Sequence, residues 1–358
     1  MASVPFQLPL RASEAGTLAD LVLQHTQGRK LDQNLRSRLG ARMQALRLVS
    51  MAPLAGSIQQ DPIHPDTYYV VADTRGDRPE CWLLRLALAS SPSSGLFPNS
   101  ILIGRMRTHV GHEVVVNAIR FGPRDRSSIR TFAERVDPAF LPRPQGAAAS
   151  ISVEHANLEA SLPQTFEAYR SLLRSTGINF AAVPVGSQTQ ADDVLWSAIR
   201  AGWREGYTLE ANVDSQDQAP AGCTKFTAVV SGAFENVEHA CDAIRARAGR
   251  KFDLELAFDR ESSTPETIGA CLRFLKSRGR PAQFVRPHTD ALHQPGAIVE
   301  VARQHGALLG VRSAGLLPAE VIQQIGRATA GKISYQICGP VGDEPARIIG
   351  MALENLRA

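Results

Sequence analysis

The sequence predicts an α/β fold in which a (β/α)8 TIM-type barrel over residues 148–358 follows a smaller α+β domain over residues 1–140. From residue 149 onward, eight short strand candidates alternate with amphipathic helical stretches. Such alternation demands parallel pairing with right-handed crossovers. The turn after the first of these strands, SVEHANLEAS, holds no glycine, whereas an open doubly wound sheet, the alternative architecture, normally carries a Gly-rich phosphate turn there. Length agrees, since a barrel needs roughly 200–250 residues and about 140 are then left for something else.

The elements follow in order. Residues 1–14 read as a loose start. Residues 15–51 read as helical, because Leu18, Leu21, Leu23, Leu31, Leu35, Leu39, Met43, Leu46 and Leu48 recur at spacings near three and four. Strand-like runs follow at 67–73 and 81–88, with RGDRP between them as a hairpin loop. Two more strands, 100–106 and 113–119, and a short helix near 126–135 complete the module, and PAFLPRPQGAA at 138–148 reads as a linker. The barrel strands are predicted at 149–154, 179–185, 207–213, 225–231, 252–258, 282–287, 308–313 and 332–338.

Composition narrows the function classes. The chain is 44% apolar and 21% charged, with a net charge of +4, values of an ordinary globular protein. Its arginines are scattered rather than clustered, which argues against nucleic acid as a partner. Five cysteines without CxxC spacing point to free thiols in a reducing compartment rather than a disulfide framework. No signal-peptide core and no window of 18 apolar residues is found, so neither export nor a membrane span is expected and the expected location is cytoplasmic. Oligomeric state has no signature here.

Strand alternation gives a sharper expectation. In 207–214, Tyr207, Leu209, Ala211 and Val213 share one parity, while Thr208, Glu210, Asn212 and Asp214 share the other. In 252–259, Phe252, Leu254, Leu256 and Phe258 oppose Asp253, Glu255, Ala257 and Asp259. In 333–338, Ile333, Tyr335 and Ile337 oppose Ser334, Gln336 and Cys338. Successive strand side chains point to opposite faces, so with the apolar set against the helices the polar set lines the barrel axis. Barrel interiors are usually filled by Val, Ile and Leu. Unpartnered Glu210 and Glu255 would cost roughly several kcal/mol each, so they are wet, paired with bases, or both. Arg286, His288 and Arg312 stand near other strand ends as partners. Two readings stay open at this point: a self-neutralising ion network, or a polar pocket at the C-terminal mouth, where barrel sites lie.

The residues also weigh on chemistry. Schiff-base aldolase chemistry needs a lysine near a strand end. Lys225, Lys251 and Lys332 fall at strand beginnings, which places them on the opposite rim. No GxSxG elbow is present. His155 and His288 are the strand-end histidines, and with Glu154 and Glu255 they form a possible relocated metal set that no spacing requires. Acid/base work on a proton beside a carbonyl would draw on Glu154, Glu210, Glu255, Asp259 and His288. Arg286 and Arg312 suit a carboxylate or phosphate. Gly315, Gly339 and Gly342 follow the last two strands and serve equally as phosphate-gripping or plain turn residues.

Four segments carry a resemblance. AGWREGYTLEANV at 201–213, AGCTKFT at 221–227, KFDLELAFDRESSTPET at 251–267 and LLGVRSAGLLPAEVIQQIGRATAGKISYQICG at 308–339 stand in an order that resembles the tagaturonate/fructuronate epimerase family. The resemblance spans roughly 180–350 and implies a metal-dependent barrel that interconverts keto-uronic acids, while the first 140 residues carry no convincing match. The departures fall on the metal site that the resemblance implies. An acidic residue and a metal-binding histidine are replaced by Asn212 and Val213. The other two family histidines are replaced by Arg312 and Ser334, and a family lysine by Gln336. Glu255 matches a family acidic residue, and Glu210 stands in place of an aspartate. The family's metal ligands are not retained, so neither a metal nor another cofactor is expected. Arg312 is expected to bring a fixed positive charge to the axis and to neutralise Glu210 and Glu255.

The expectation is therefore a barrel related to sugar-acid epimerases that binds a small anionic sugar-like ligand. Any catalysis is metal-independent proton transfer by Glu255, His288 and Glu210. Arg312, Arg286, Asn212, Gln336, Glu154 and Asp259 are expected to contact the ligand. The competing expectation is a non-catalytic relative acting as a sensor, partner or scaffold.

Overall fold

The computed structural model describes residues 10–92, 95–109, 111–153, 166, 170, 180–213, 221–249, 251–338 and 345–358. They divide into two compact units, one made of residues up to Leu141 together with Leu195–Arg204, the other of Pro142–Val194 and Glu205–Ala358.

The first unit carries an antiparallel sheet. Its strands are β1 (Met51–Pro53), β2 (Gln59–Gln60), β3 (Thr67–Thr74), β4 (Cys81–Leu88), β5 (Ile101–Arg107) and β6 (Glu113–Arg120). They run in the order β1-β3-β4-β6-β5, with β2 paired to β3. Both faces of β3 and β4 are covered. Leu18, Val22, Leu39 and Met43 pack with Tyr68, Val70 and Trp82 on one side. Tyr69, Val71 and Leu83 pack with Phe121, Phe132, Trp196 and Ile199 on the other. This explains why both strands read as nearly unbroken apolar runs rather than alternating ones.

The helical stretch read at 15–51 is a correction. It is two helices, Ala12–Thr26 and Gln33–Ala45, followed by β1. Gln27 and Gly28 take positive φ of 46° and 71° and end the first helix, and the Asp32 carboxylate accepts a hydrogen bond from the Leu35 N–H to start the second. The short helix falls at Arg126–Arg135.

The second unit is the predicted parallel barrel. Its strands are β7 (Ser150–Val153), β8 (Phe180–Pro184), β9 (Tyr207–Val213), β10 (Lys225–Val230), β11 (Asp253–Phe258), β12 (Phe284–Arg286), β13 (Leu308–Ala314) and β14 (Ile333–Cys338). They close in the order β10-β11-β12-β13-β14-β7-β8-β9, each neighbour parallel. The outer ring includes the helices Phe234–Ala248, Pro265–Ser277, Gly296–Gln304, Ala319–Thr329 and Pro345–Arg357. Leu254, Leu256, Val311, Ile333 and Ile337 are buried apolar residues of the outward parity. Gly326 permits one close helix approach, because a Cβ there would collide with the backbone carbonyl of Leu356.

None of the five cysteines is joined in a disulfide. No helix among the described residues is long and apolar enough to cross a membrane.

Candidate functional site

The inward parity of the barrel strands brings charged side chains to one axis. Lys225 opens β10, yet its Nζ lies 3.2 Å from Glu210 Oε2 on β9 and 2.9 Å from Glu255 Oε2 on β11. The same Nζ donates to Ser334 Oγ at 3.3 Å. Ser334 belongs to β14, four strands round the barrel from β10, so this bond crosses the lumen. Ser334 Oγ also meets Ser150 Oγ at 2.8 Å. The Thr227 hydroxyl sits 3.2 Å from one oxygen of each glutamate and, with one proton, donates to one of them at a time. Lys225 further lies 4.5 Å from the centroid of the Phe284 ring, a cation–π contact.

The group is buried: Glu210, Lys225 and Glu255 are 3%, 2% and 2% exposed. Arg286 Nη1 approaches Glu255 Oε1 to 2.9 Å, so two cations face two carboxylates and the charges balance. Burial opposes the charged Glu255, but Lys225 and then Arg286 hold its carboxyl below the ordinary range. Burial likewise opposes the Lys225 ammonium, and the two glutamates overcome it and hold its pKa above the usual lysine value. Asp253 closes the lower end of β11, accepting from the N–H groups of Gln145 at 2.7 Å and Gly146 at 3.0 Å.

Among the inner-face groups of the described residues, Gln336 Nε2 and Thr208 Oγ1 are buried with no hydrogen-bond partner, whereas Arg286 Nη1 is engaged by the Glu255 carboxylate as an ion pair. Arg312 lies opposite Gln336 in the β13–β14 register, and its Nε donates to Cys338 Sγ at 3.0 Å. Farther along the inward parity, Asn212 is exposed and Val229 is 48% exposed. The C-terminal side of the lumen is therefore accessible beside β9 and β10.

The other predicted site residues fall differently. His288 caps a short helical turn, accepting from the Asp290 N–H. Its Nδ1 lies 3.5 Å from Asp290 Oδ2, and its side chain is 40% exposed. Asp259 is exposed and accepts from both the N–H and the hydroxyl of Ser262, which holds its carboxyl below the usual value. The structure thus brings Glu210, Glu255 and Arg286 into one network and leaves His288 and Asp259 in local turn interactions. Glu154 and His155, with Gly339 and Gly342, lie outside the described residues.

Two expectations are corrected. Among the described residues, the cations that pair with Glu210 and Glu255 are Lys225 and Arg286, not Arg312. Lys225 is not confined to the opposite rim, because its long side chain rises along the axis. It remains unsuited to Schiff-base chemistry for another reason: its ammonium is held charged between two carboxylates, whereas that chemistry needs a neutral amine. Sequence reasoning missed Lys225, Thr227 and Cys338 as members of the site. Alternation along β10 carried the signal for Lys225 and Thr227, since both share the parity of the lumen. Gly310 was also missed. A Cβ there would lie 2.8 Å from Glu255 Oε2, so the glycine makes room for the carboxylate.

A divalent metal at this axis does not fit the described residues. The oxygens of Glu210 and Glu255 that would hold it already face the Lys225 ammonium. No group of three or more histidine, cysteine, aspartate or glutamate side chains among the described residues is arranged to hold one.

Fold and site together define a closed parallel (β/α)8 barrel with a charge-balanced polar lumen and an antiparallel module. No family model and no curated protein matches the sequence. Solved structures of fructuronate-tagaturonate epimerase from Cohnella laeviribosi are similar in fold. A glycerol-complexed form is 12% identical, with a TM-score of 0.56, over 86% of this chain and 74% of that one. The native form is 11% identical, with a TM-score of 0.54, over 85% and 74%. The likeness is distant and concerns the fold. Its span exceeds what the barrel unit alone supplies, so it takes in part of the first 140 residues, where the sequence had given no match.

Proposed function

We propose that the barrel binds a small anionic sugar-like ligand at the C-terminal end of its lumen, without a metal ion. The observation that carries this reading is the Gln336 amide, whose Nε2 is buried on the axis face with no hydrogen-bond partner. Buried donors are almost always satisfied, and an orphan amide N–H calls for an oxygen acceptor. Arg286 and Arg312 add positive charge on neighbouring strands, which suits a carboxylate, and Asn212 offers an exposed amide beside a hydroxylated ligand. Below them, Glu210, Lys225 and Glu255 form a fixed floor that needs no divalent cation. The fold likeness to an epimerase of keto-uronic acids supports a sugar acid as the ligand class. We place the reaction, where there is one, in metal-independent proton transfer within a reducing, cytoplasmic compartment.

One observation favours a second reading, a non-catalytic relative that senses or scaffolds. Glu255 is held below the ordinary carboxylate range by its cations, which makes it a weak base, whereas general bases work best with a pKa near the operating pH. One experiment separates the readings. Thermal-shift screening against uronates, aldonates and sugar phosphates in chelator identifies the ligand, and proton NMR in deuterated water follows the carbon beside its carbonyl. Stabilisation with solvent deuterium incorporated supports the enzyme. Stabilisation without incorporation supports the binder. No stabilisation by any anion overturns both.

A further inference from the structure

We propose that Cys338 is a reactive thiolate at the mouth of the barrel, held by Arg312, and that it stands beside the place where the carboxylate of a bound ligand is gripped. Cys338 ends β14 on the inner parity and is half-buried. Arg312 Nε donates to its Sγ at 3.0 Å. A guanidinium has hydrogens to give and no lone pair to offer, so the sulfur is the acceptor. A fixed cation in contact with sulfur favours the thiolate, the form that attacks electrophiles.

A second observation points to a ligand at this spot. Gln336 lies two residues before Cys338 on the same face and opposite Arg312 in register. It is 5% exposed, and its Nε2 has no hydrogen-bond partner. A carboxylate that accepts from Gln336 Nε2 and is drawn by the guanidinium of Arg312 brings its neighbouring carbon to the sulfur. The other thiols are placed differently. Cys223, Cys241 and Cys271 are buried. Burial pushes Cys241 up to about 11 and Cys271 up to about 12. Cys81 is half-buried like Cys338, but burial and then Asp73 push its thiol well above the ordinary value. Cys81 is therefore an internal control.

The inference rests on the proposed ligand charge for its second half and on geometry alone for its first. Alkylation with two probes separates the halves. The thiolate sulfur attacks the methylene carbon, the S–C bond forms, the C–I bond breaks and iodide leaves. Iodoacetamide is neutral and reads thiolate character. Iodoacetate is the same electrophile with a carboxylate and reads the anion grip. Modification is mapped by mass spectrometry on the intact chain under native conditions. With iodoacetamide, Cys338 is expected to react at least about tenfold faster than Cys81, and Arg312→Gln to slow it by about tenfold while Arg312→Lys, which keeps the charge, slows it less. The iodoacetate-to-iodoacetamide rate ratio is expected to be higher at Cys338 than at Cys81, and Gln336→Leu to lower it. Cys338 reacting no faster than Cys81 overturns the thiolate. A fast Cys338 with no preference for iodoacetate upholds the thiolate and overturns the carboxylate grip, and with it the proposed ligand class.

Discussion

Replacing Lys225 by methionine removes the ammonium from between Glu210 and Glu255 while keeping most of the side-chain volume. In the native lumen Lys225 and Arg286 balance the two carboxylates. The variant leaves one uncompensated negative charge among groups that are 2% to 3% exposed. Breaking a buried ion pair by removing one partner costs about 3–5 kcal/mol, and full burial leaves little solvent screening to reduce it. The pH dependence has a definite sign. Native Glu255 titrates below its unfolded value, so its contribution is intact at neutral pH and is lost as pH falls through the folded value. Without Lys225, Arg286 alone faces two buried carboxylates, so burial of the uncompensated charge favours a proton on the pair. The penalty in the variant is then full at neutral pH and is relieved as pH falls. Lys225 titrates far above this window and contributes no slope in it. Urea unfolding at pH 8 and pH 5.5 measures the stability gap between the two proteins. The expected gap is widest at pH 8 and narrower at pH 5.5. A gap below about 1 kcal/mol at pH 8, or one that widens towards acid, would refute the ion-paired lumen.

Three further substitutions test the same account. Gly310→Ala places a Cβ 2.8 Å from Glu255 Oε2 and is expected to cost about 1–3 kcal/mol in urea unfolding. Combining it with Glu255→Ala removes the clash, so the two costs are expected to be less than additive. Gly326→Ala drives a methyl into the Leu356 carbonyl. Because backbone has no rotamer to escape into, a loss of at least about 2 kcal/mol is expected, read as a fall in the thermal midpoint. Asp32→Ala removes the carboxylate that accepts from Leu35 N–H at 2.7 Å, and chemical unfolding of the first unit is expected to lose about 1 kcal/mol.

The barrel was legible because its strands differ in kind from its helices. Alternation in YTLEANV and KISYQIC reports a strand with one face on helices and one on a polar axis, and both strands lie where that pattern put them. The module was harder to read at its start. Leucine spacing resumes at Leu31 after a polar stretch from Gln24 to Lys30 that holds Gly28, and the break falls there, at a left-handed Gln27 and Gly28 that leucine periodicity alone does not record. In the lumen, the acidic members were visible through parity. Their partner was not, because position along a strand tells where Cα lies and not where a long side chain ends. Lys225 begins its strand and still bonds Ser334 across the barrel. Arg312 sits on the axis as expected, yet its Nε goes to Cys338, a choice set by the register of β13 against β14. Gly310 was illegible for the same reason: its role is space for a residue two strands away.

Calorimetric titration with a uronate in excess chelator, on the native chain and on Gln336→Leu, tests the proposed mouth most directly. Saturable binding in the native protein, with the heat lost or the Kd raised at least about tenfold in the variant, is the outcome this account requires, since a buried amide donor is worth roughly 1–3 kcal/mol when its acceptor is charged. Binding that appears only after a divalent cation is restored, or that is indifferent to Gln336, would contradict it.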